Sequence, residues 1–183
     1  MPERSVGEGR TAYCAGAGED ISFDLELLAR GIKVTVFDPT PRAIDYVQRT
    51  APQDPNFRFE PVGWWDSEQT LRFYAPRNEA HVSHSAVNLQ RTDRFFEAQV
   101  STVRELAKKL DDTDIEIIKM DIEGAEYAVL SSLMDQGPLP STLCMEFDQP
   151  ESIFKTIAAV RDLRRHGYSL RHIEGWNYTF TRD

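Results

Sequence analysis

The chain has 183 residues, a length that fits one domain with a sizeable core. Its 30 acidic and 21 basic residues give a formal net charge of −9 with neutral histidines. A chain this acidic is a poor candidate for binding a nucleic-acid backbone or an anionic membrane surface, so we expect neither partner. It contains no apolar run of about 18 residues and no signal-peptide core, and a cytoplasmic location is the expectation.

The first part of the chain predicts a short tail, a strand and a helix. Residues 1–10 are polar and contain one proline and two glycines, which predicts a flexible N-terminal segment before a single domain over residues 11–183. Residues 11–15 form the first predicted strand. Ser22 is the predicted N-cap of a helix that ends at Gly31, a residue type common just after helices.

The next part predicts a strand, a helix and then irregular chain. The strand ends at Asp38 and the helix covers residues 42–50, after which residues 57–63 alternate apolar and polar side chains as a strand does. Residues 70–74 and 95–100 are predicted as short β-segments. The stretch between them has little periodicity and contains two histidines, and long stretches of this kind often cover functional sites.

Residues 115–130 contain the most informative pattern of the chain. A β-branched apolar run is followed by Asp121, Glu123 and Gly124, and then by helix-forming residues. This order predicts a buried strand, an acidic turn and a helix. The ligand crevice of an open parallel sheet lies outside the carboxyl ends of its strands, so the two carboxylates are either ligand-holding groups or solvated loop charges.

The last elements fix the fold class as α/β. Strands and helices alternate up to a helix over residues 153–166, which predicts a largely parallel sheet. Strands at residues 168–173 and 177–181 are joined by a turn too short for a crossover helix, so they form an antiparallel edge hairpin. Cys14 and Cys144 lie in apolar runs and are predicted as buried thiols rather than a disulfide or zinc ligands.

Glycines and a carboxylate at the first two strand ends predict a nucleoside-containing cofactor. Gly16 and Gly18 lie between a strand and a helix, where backbone N–H groups are available to a ligand. Asp38 ends the second strand, 20 residues after Gly18, a spacing that suits a carboxylate accepting hydrogen bonds from both ribose hydroxyls.

The type of cofactor follows from the residues around this loop. A dinucleotide fingerprint needs a glycine at the position of Ile21, whose bulk hinders close packing of helix on strand. Glu19 and Asp20 would repel a pyrophosphate but can face an ammonium group. Acidic residues also end the central strands, at Asp38, Asp121 and Glu146. Together they favour S-adenosylmethionine, a cationic sulfonium, over a polyanion.

Several segments resemble the FkbM-type S-adenosylmethionine-dependent methyltransferases. Residues 16–23 are similar to the cofactor loop of one branch of that family, residues 36–41 to its second-strand motif, and residues 118–126 to its hallmark segment. Residues 81–85 and 143–148 also resemble segments of that branch. The resemblance implies a Rossmann-like class I methyltransferase fold, with a mostly parallel seven-stranded sheet in the order 3-2-1-4-5-7-6.

The resemblance also implies roles for individual residues. The glycine loop and Asp20 would face the methionine portion, Asp38 the ribose, and Gly63 and Trp64 the adenine. The acidic turn would lie under the sulfonium and the acceptor. The cofactor-binding residues expected on these grounds are Gly16, Gly18, Glu19, Asp20, Ser22, Asp38, Pro39, Thr40, Gly63, Trp64, Asp121, Ile122, Glu123 and Gly124.

One departure from the class I pattern concerns the cofactor's ammonium group. Many class I enzymes have an acidic residue near the end of strand one, where this chain has Tyr13 and Cys14. Asp20 is the expected replacement.

The candidate catalytic residues are His84, Asp121 and Glu123. His84 lies in the irregular stretch and is the candidate general base, because its natural pKa suits that role; the alternative is a structural loop histidine. Asp121 and Glu123 could instead bind magnesium or calcium with Glu146 or Asp148, but we predict no metal.

The expected function is methyl transfer from S-adenosylmethionine. The expected acceptor is a hydroxyl oxygen of a small molecule or sugar. Two alternatives stay open at this point. One is a non-catalytic domain that binds a cofactor or a partner, and the other is a nicotinamide-dependent oxidoreductase, which Ile21 disfavours. The sequence does not identify the acceptor or the oligomeric state, because acceptor pockets are built from variable loops.

Overall fold

The structure is a computed structural model that describes residues 10–75, 86, 92–147 and 152–182. In chain order its elements are β1 (Thr11–Ala15), α1 (Ser22–Ala29), β2 (Lys33–Phe37), α2 (Pro41–Thr50), β3 (Phe57–Glu60), β4 (Gly63–Trp64), β5 (Gln69–Tyr74), β6 (Phe95–Ser101), α3 (Val103–Lys109), β7 (Ile115–Met120), α4 (Glu126–Gln136), β8 (Thr142–Glu146), α5 (Ile153–Arg165), β9 (Tyr168–Glu174) and β10 (Asn177–Arg182).

Seven of the strands form one sheet in the order β3-β2-β1-β7-β8-β10-β9. The pairs β3–β2, β2–β1, β1–β7 and β7–β8 are parallel, whereas β10 is antiparallel to both β8 and β9. If only the strands of this sheet are numbered, the order is 3-2-1-4-5-7-6. The structure therefore confirms the α/β class, the class I order and the antiparallel edge hairpin.

A second sheet of three strands, in the order β4-β6-β5, differs from the sequence expectation. β5 and β6 were expected as short β-segments but not as part of a separate sheet, and β4 was not expected, since residue 63 was expected to end the strand that begins at residue 57. Val62 N donates to Glu60 O at 2.8 Å in a turn, and Gly63 then pairs with Val100 of β6. This pairing joins residues distant in the chain, which periodicity does not reveal.

The main sheet lies between two layers of helices, and its central strands β1, β2 and β7 are buried on both faces. Alternate residues of β1 point to opposite sides, as the period of a strand requires. Ala12 and Cys14 pack in a cluster with residues of α1 and α2, while Tyr13 and Ala15 pack with residues of α3, α4 and α5.

Neither cysteine forms a disulfide: Cys14 is buried and Cys144 is partly buried, and both are free thiols, as expected. Within the described ranges, the helices are all too short or too polar to cross a membrane.

Candidate active site

A cavity of about 480 Å³ lies at the carboxyl ends of β1, β2 and β7. The predicted cofactor-binding residues line this cavity, with the exception of Gly124. The residues that the sequence predicted to surround one cofactor therefore do lie around one cavity in the fold. Its walls also include side chains that the sequence analysis did not assign to the site, notably Asp24, Phe73 and Lys119.

Gly16 lies where the turn after β1 contacts the turn after β7. Its φ is +88°, and its N–H donates to Phe37 O at 3.0 Å. A Cβ atom at this position would lie 1.8 Å from the backbone oxygen of Asp121. The glycine is thus required for the close approach of the turn after β1 to the turn after β7, and not only for an approach to a ligand.

Asp38 organises the glycine loop through its whole carboxylate. Oδ2 accepts hydrogen bonds from the N–H groups of Ala17 and Gly18, both at 3.0 Å. Oδ1 accepts bonds from Thr40 N at 2.8 Å and Thr40 Oγ1 at 2.7 Å. A carboxylate offers about four lone-pair positions, so these four hydrogen bonds occupy all of its acceptor positions. The role of Asp38 at the ribose stays a prediction, and it requires that some of these bonds be exchanged.

The acidic residues after Gly18 make contacts of their own. Glu19 forms an ion pair with Arg42, with 2.8 Å between Oε2 and Nη2. Asp20 Oδ1 accepts the N–H of Ser22 at 2.8 Å, and this bond lowers the pKa of Asp20. The expected N-cap at Ser22 is wrong: Ile21 is the N-cap residue, without a side-chain bond, and Ser22 is the first helical residue. The carboxylate of Asp20 accepts the N–H of the first helical residue, which has no partner within the helix.

Aromatic side chains form another part of the cavity wall. Trp64 is 3% exposed and packs against Phe37, with ring centroids 5.3 Å apart. Its indole Nε1 is buried without a hydrogen-bond partner. Gly63 lies so close to Phe73 that an added Cβ would be 3.0 Å from the ring. The second sheet thus supplies an apolar wall and one unsatisfied donor.

Glu126 holds the acidic turn after β7. Its Oε1 accepts the N–H of Ile122 and its Oε2 that of Gly124, both at 2.9 Å. Glu123 adopts a φ of +54°, which few residues other than glycine adopt, and these bonds fix the turn on either side of it. Burial raises the pKa of Glu126 to about 7 despite the two bonds. Glu126 lies at the start of α4, the helix that the sequence predicted after the acidic turn.

Carboxylates face each other at the outer end of the turn. Burial raises the pKa of Glu146, at the end of β8, and the nearby charge of Asp121 raises it further. Lys119 lies nearby, with Nζ 3.8 Å from Asp121 Oδ2 and 2.8 Å from Gly16 O. Among the residues with described positions, no group of three or more possible ligands could hold a metal ion.

Two candidate residues fall outside this description. His84, the candidate base, and Asp148, a member of the alternative metal set, lie outside the described residues. The predicted role of His84 stays a prediction.

The residues that the sequence analysis missed did carry a signal. Asp24 lies three residues from Ile21 and three from Leu27, both buried, so helical spacing places its carboxylate on the buried face of α1. Lys119 is a charged residue near the end of a mostly apolar strand that is covered on both faces. A charge where the pattern requires an apolar side chain points to a functional or paired group.

The family comparison agrees with this geometry. A family model described as the methyltransferase FkbM domain matches residues 12–170. This range includes every residue described above as lining the cavity. No curated protein sequence matches the chain.

Solved structures of methyltransferases share the fold at low sequence identity. A putative methyltransferase from Streptococcus mutans in complex with SAH superposes with a TM-score of 0.54 at 9% identity, covering 97% of this chain and 89% of that one. Precorrin-6y C5,15-methyltransferase from Geobacter metallireducens gives 0.53 at 11% identity, covering 98% and 84%. Fibrillarin from Aeropyrum pernix with natively bound S-adenosyl-L-methionine gives 0.52 at 8%, covering 99% and 69%.

Proposed function

The chain belongs to the FkbM methyltransferase family, and from this premise we propose that it methylates a hydroxyl oxygen of a small molecule or sugar. S-adenosylmethionine is the methyl donor of this enzyme class, which removes the nicotinamide-dependent alternative. The identity of the acceptor and the roles of the catalytic residues are what we propose.

The residues around the cavity fit this cofactor. The cavity has an apolar aromatic wall with the unsatisfied indole donor of Trp64, which suits the face and ring nitrogens of adenine. The glycine loop held by Asp38 would border the ribose and methionine portions, and the acidic turn at Asp121–Glu123 would lie near the sulfonium. When bound, S-adenosylmethionine supplies an electrophilic methyl group on a positively charged sulfur.

The observation that carries the proposal is the pair of carboxyl groups of Asp121 and Glu146. The pKa of Glu146 is raised by burial first and by the nearby charge of Asp121 second. Two carboxyl groups this close retain one proton more readily than separate ones. A carboxylate with a raised pKa is a stronger base than an ordinary one, and it can accept the proton of a hydroxyl nucleophile.

The chain's own residues thus have two tasks in the reaction. The turn from Asp121 to Glu123 positions the acceptor oxygen at the open end of the cavity, and Glu146 with Asp121 takes the hydroxyl proton. Positioning of the reactants is the larger contribution in such displacements. A general base adds roughly 10²- to 10⁴-fold. His84 remains a second candidate base.

The acceptor is proposed to be a small molecule because of the charge of the chain. With a net charge of −9, the protein would repel the phosphates of a nucleic acid. The carboxylates at the rim also favour an uncharged polyol or sugar over an anionic acceptor.

The test is transfer of a labelled methyl group from S-adenosylmethionine to a panel of sugars, phenols, amines and RNA. We expect label on a hydroxyl compound. In Glu146→Gln, kcat should fall by about 10²-fold with an unchanged affinity for S-adenosylhomocysteine, and the pH profile should lose its acidic limb. Glu174→Gln is the matched control, since Glu174 is an exposed carboxylate at the end of β9.

Three outcomes would contradict the proposal. Label on nitrogen or on RNA alone would exclude a hydroxyl acceptor. Cofactor binding without transfer to any acceptor would favour a non-catalytic domain. An unchanged kcat in Glu146→Gln would exclude the carboxyl pair as the base.

A further inference from the structure

Asp24 is a buried carboxylate that the proposed reaction does not use. It lies in the first turn of α1, is 2% exposed and lines the cavity. Its Oδ1 is buried and has no hydrogen-bond partner. An unsatisfied buried carboxylate oxygen is costly, which indicates that a partner absent from the chain completes its bonding.

Lys119 lies close to Asp24, on the face of the sheet that α1 covers. In the register of the parallel strands, Cys14 of β1 is the partner of Lys119 of β7, so their side chains project to the same side about 4.8 Å apart. The Cys14 thiol and the charge of Lys119 both lower the pKa of Asp24, against the larger effect of burial, so both groups lie close to its carboxyl. An acidic and a basic group therefore border the same end of the cavity.

Both groups have unused bonding capacity toward a ligand. Lys119 donates to Gly16 O at 2.8 Å, and its ammonium has three donors in all. Burial raises the pKa of Asp24, and an adjacent cation would reverse that effect. A ligand with an ammonium and a carboxylate on one carbon would satisfy both side chains at once.

We propose that Asp24 and Lys119 bind the α-amino acid end of S-adenosylmethionine, with Asp24 accepting a hydrogen bond from its ammonium and Lys119 donating to its carboxylate. This assignment rests on the function proposed above. It replaces Asp20, which the sequence suggested for the ammonium. Asp20 is exposed, and its Oδ1 is already engaged by the N–H of Ser22.

Calorimetric titration with two ligands tests the assignment. S-adenosylhomocysteine keeps the α-amino acid end, whereas 5′-methylthioadenosine lacks it. Asp24→Asn keeps the shape of the side chain and removes its charge. We expect it to weaken S-adenosylhomocysteine by roughly 10- to 100-fold, the loss typical of a hydrogen bond between charged groups, and to change 5′-methylthioadenosine by less than about twofold.

Lys119→Met should give the same selective loss, because it removes the ammonium and keeps most of the side-chain volume. Glu26→Gln is the matched control on the same helix. The side chain of Glu26 is 63% exposed and pairs with Arg30, outside the cavity. It should leave both affinities unchanged.

The outcomes separate this inference from the proposed function. If Asp24→Asn binds S-adenosylhomocysteine as tightly as the native protein, the assignment is overturned while methyl transfer can still be observed. A selective loss in Asp20→Asn instead would overturn it in favour of Asp20. Equal losses for both ligands would also overturn it, since they would show a general effect on the cavity. Failure of the native protein to bind either ligand would overturn the inference and the proposed function together.

Discussion

The glycine loop and the acidic turn are neighbouring parts of one cavity wall, and the carboxylates that border them have different surroundings. On the glycine-loop side, Asp38 is surrounded by N–H and hydroxyl donors of Ala17, Gly18 and Thr40. On the acidic-turn side, Asp121 and Glu146 face each other, and burial and mutual charge raise the pKa of Glu146. The first arrangement fixes a binding surface before a ligand arrives. The second concentrates negative charge where a cation or a proton can be received.

Gly16→Ala should break the contact between these two sides and have the largest effect. The added Cβ would lie 1.8 Å from Asp121 O, and φ is +88°. Because backbone atoms must move, we expect a loss of more than about 4 kcal/mol in the free energy of unfolding, measured by urea denaturation.

Gly175→Ala is the control for the conformational part of this effect. Gly175 has a φ of +59°, but an added Cβ would meet nothing within 4 Å. We expect a loss of only about 1 kcal/mol. Equal losses in the two variants would show that the contact between Gly16 and Asp121 is unimportant.

Asp38→Ala should disrupt the glycine-loop side alone. It leaves the N–H groups of Ala17, Gly18 and Thr40 without their acceptor, at a cost of roughly 3–5 kcal/mol in unfolding free energy. Binding of S-adenosylhomocysteine should fall below detection in calorimetry. Asp38→Asn keeps one acceptor oxygen, so its losses should be intermediate. If Asp38→Ala were as stable as the native protein, the loop would not depend on this carboxylate.

Glu126 gives the acidic-turn side a pH dependence. Its pKa is raised by burial from 4.5 to about 7, so the folded protein binds this proton more tightly than the unfolded chain does. The stability gained from that proton is complete below pH 4.5 and lost as the pH rises through about 7. Glu126 should therefore account for a decrease on the order of 3 kcal/mol in unfolding free energy over this range.

Comparison with Glu126→Gln isolates that contribution. The variant has no proton to lose, so the difference between its unfolding free energy and that of the native protein should change between pH 5 and pH 8. At low pH the variant should be the less stable protein, since its amide nitrogen cannot accept one of the N–H groups of Ile122 and Gly124, and this disadvantage should shrink as the pH rises. A pH-independent difference would contradict the raised pKa.

Trp64→Phe is expected to have the smallest effect on stability, and it sharpens the difference between folding and binding. It removes an indole N–H that has no partner in the protein, so unfolding free energy should change by no more than about 1 kcal/mol. The affinity for S-adenosylhomocysteine should fall about tenfold if this N–H donates to the bound adenosyl group. A large stability loss with unchanged affinity would make Trp64 a packing residue only.

The sequence predicted the parts of this site that depend on short-range pattern. Gly16, Gly18 and Asp38 follow strands that alternate with helices, and Asp121 and Glu123 follow a strand with a β-branched apolar run. Their convergence at one edge follows from the parallel arrangement.

The parts that the sequence did not predict depend on contacts between distant residues. Whether Asp38 meets a ribose or the N–H groups of Ala17 and Gly18 depends on how closely β1 and β2 lie at their ends. Asp24 and Lys119 border the same end of the cavity because of the register of β1 and β7 and because of the face of α1 that packs on the sheet. The second sheet pairs β5 and β6 across an intervening stretch with no periodic signal.

A crystal structure of the protein with S-adenosylhomocysteine tests the central claim most directly. We predict that the ligand occupies the cavity between the glycine loop and the acidic turn, with adenine beside Trp64 and the sulfur atom nearest the Asp121–Glu123 turn. Binding at any other place, or with the adenine at the acidic turn, would contradict the account.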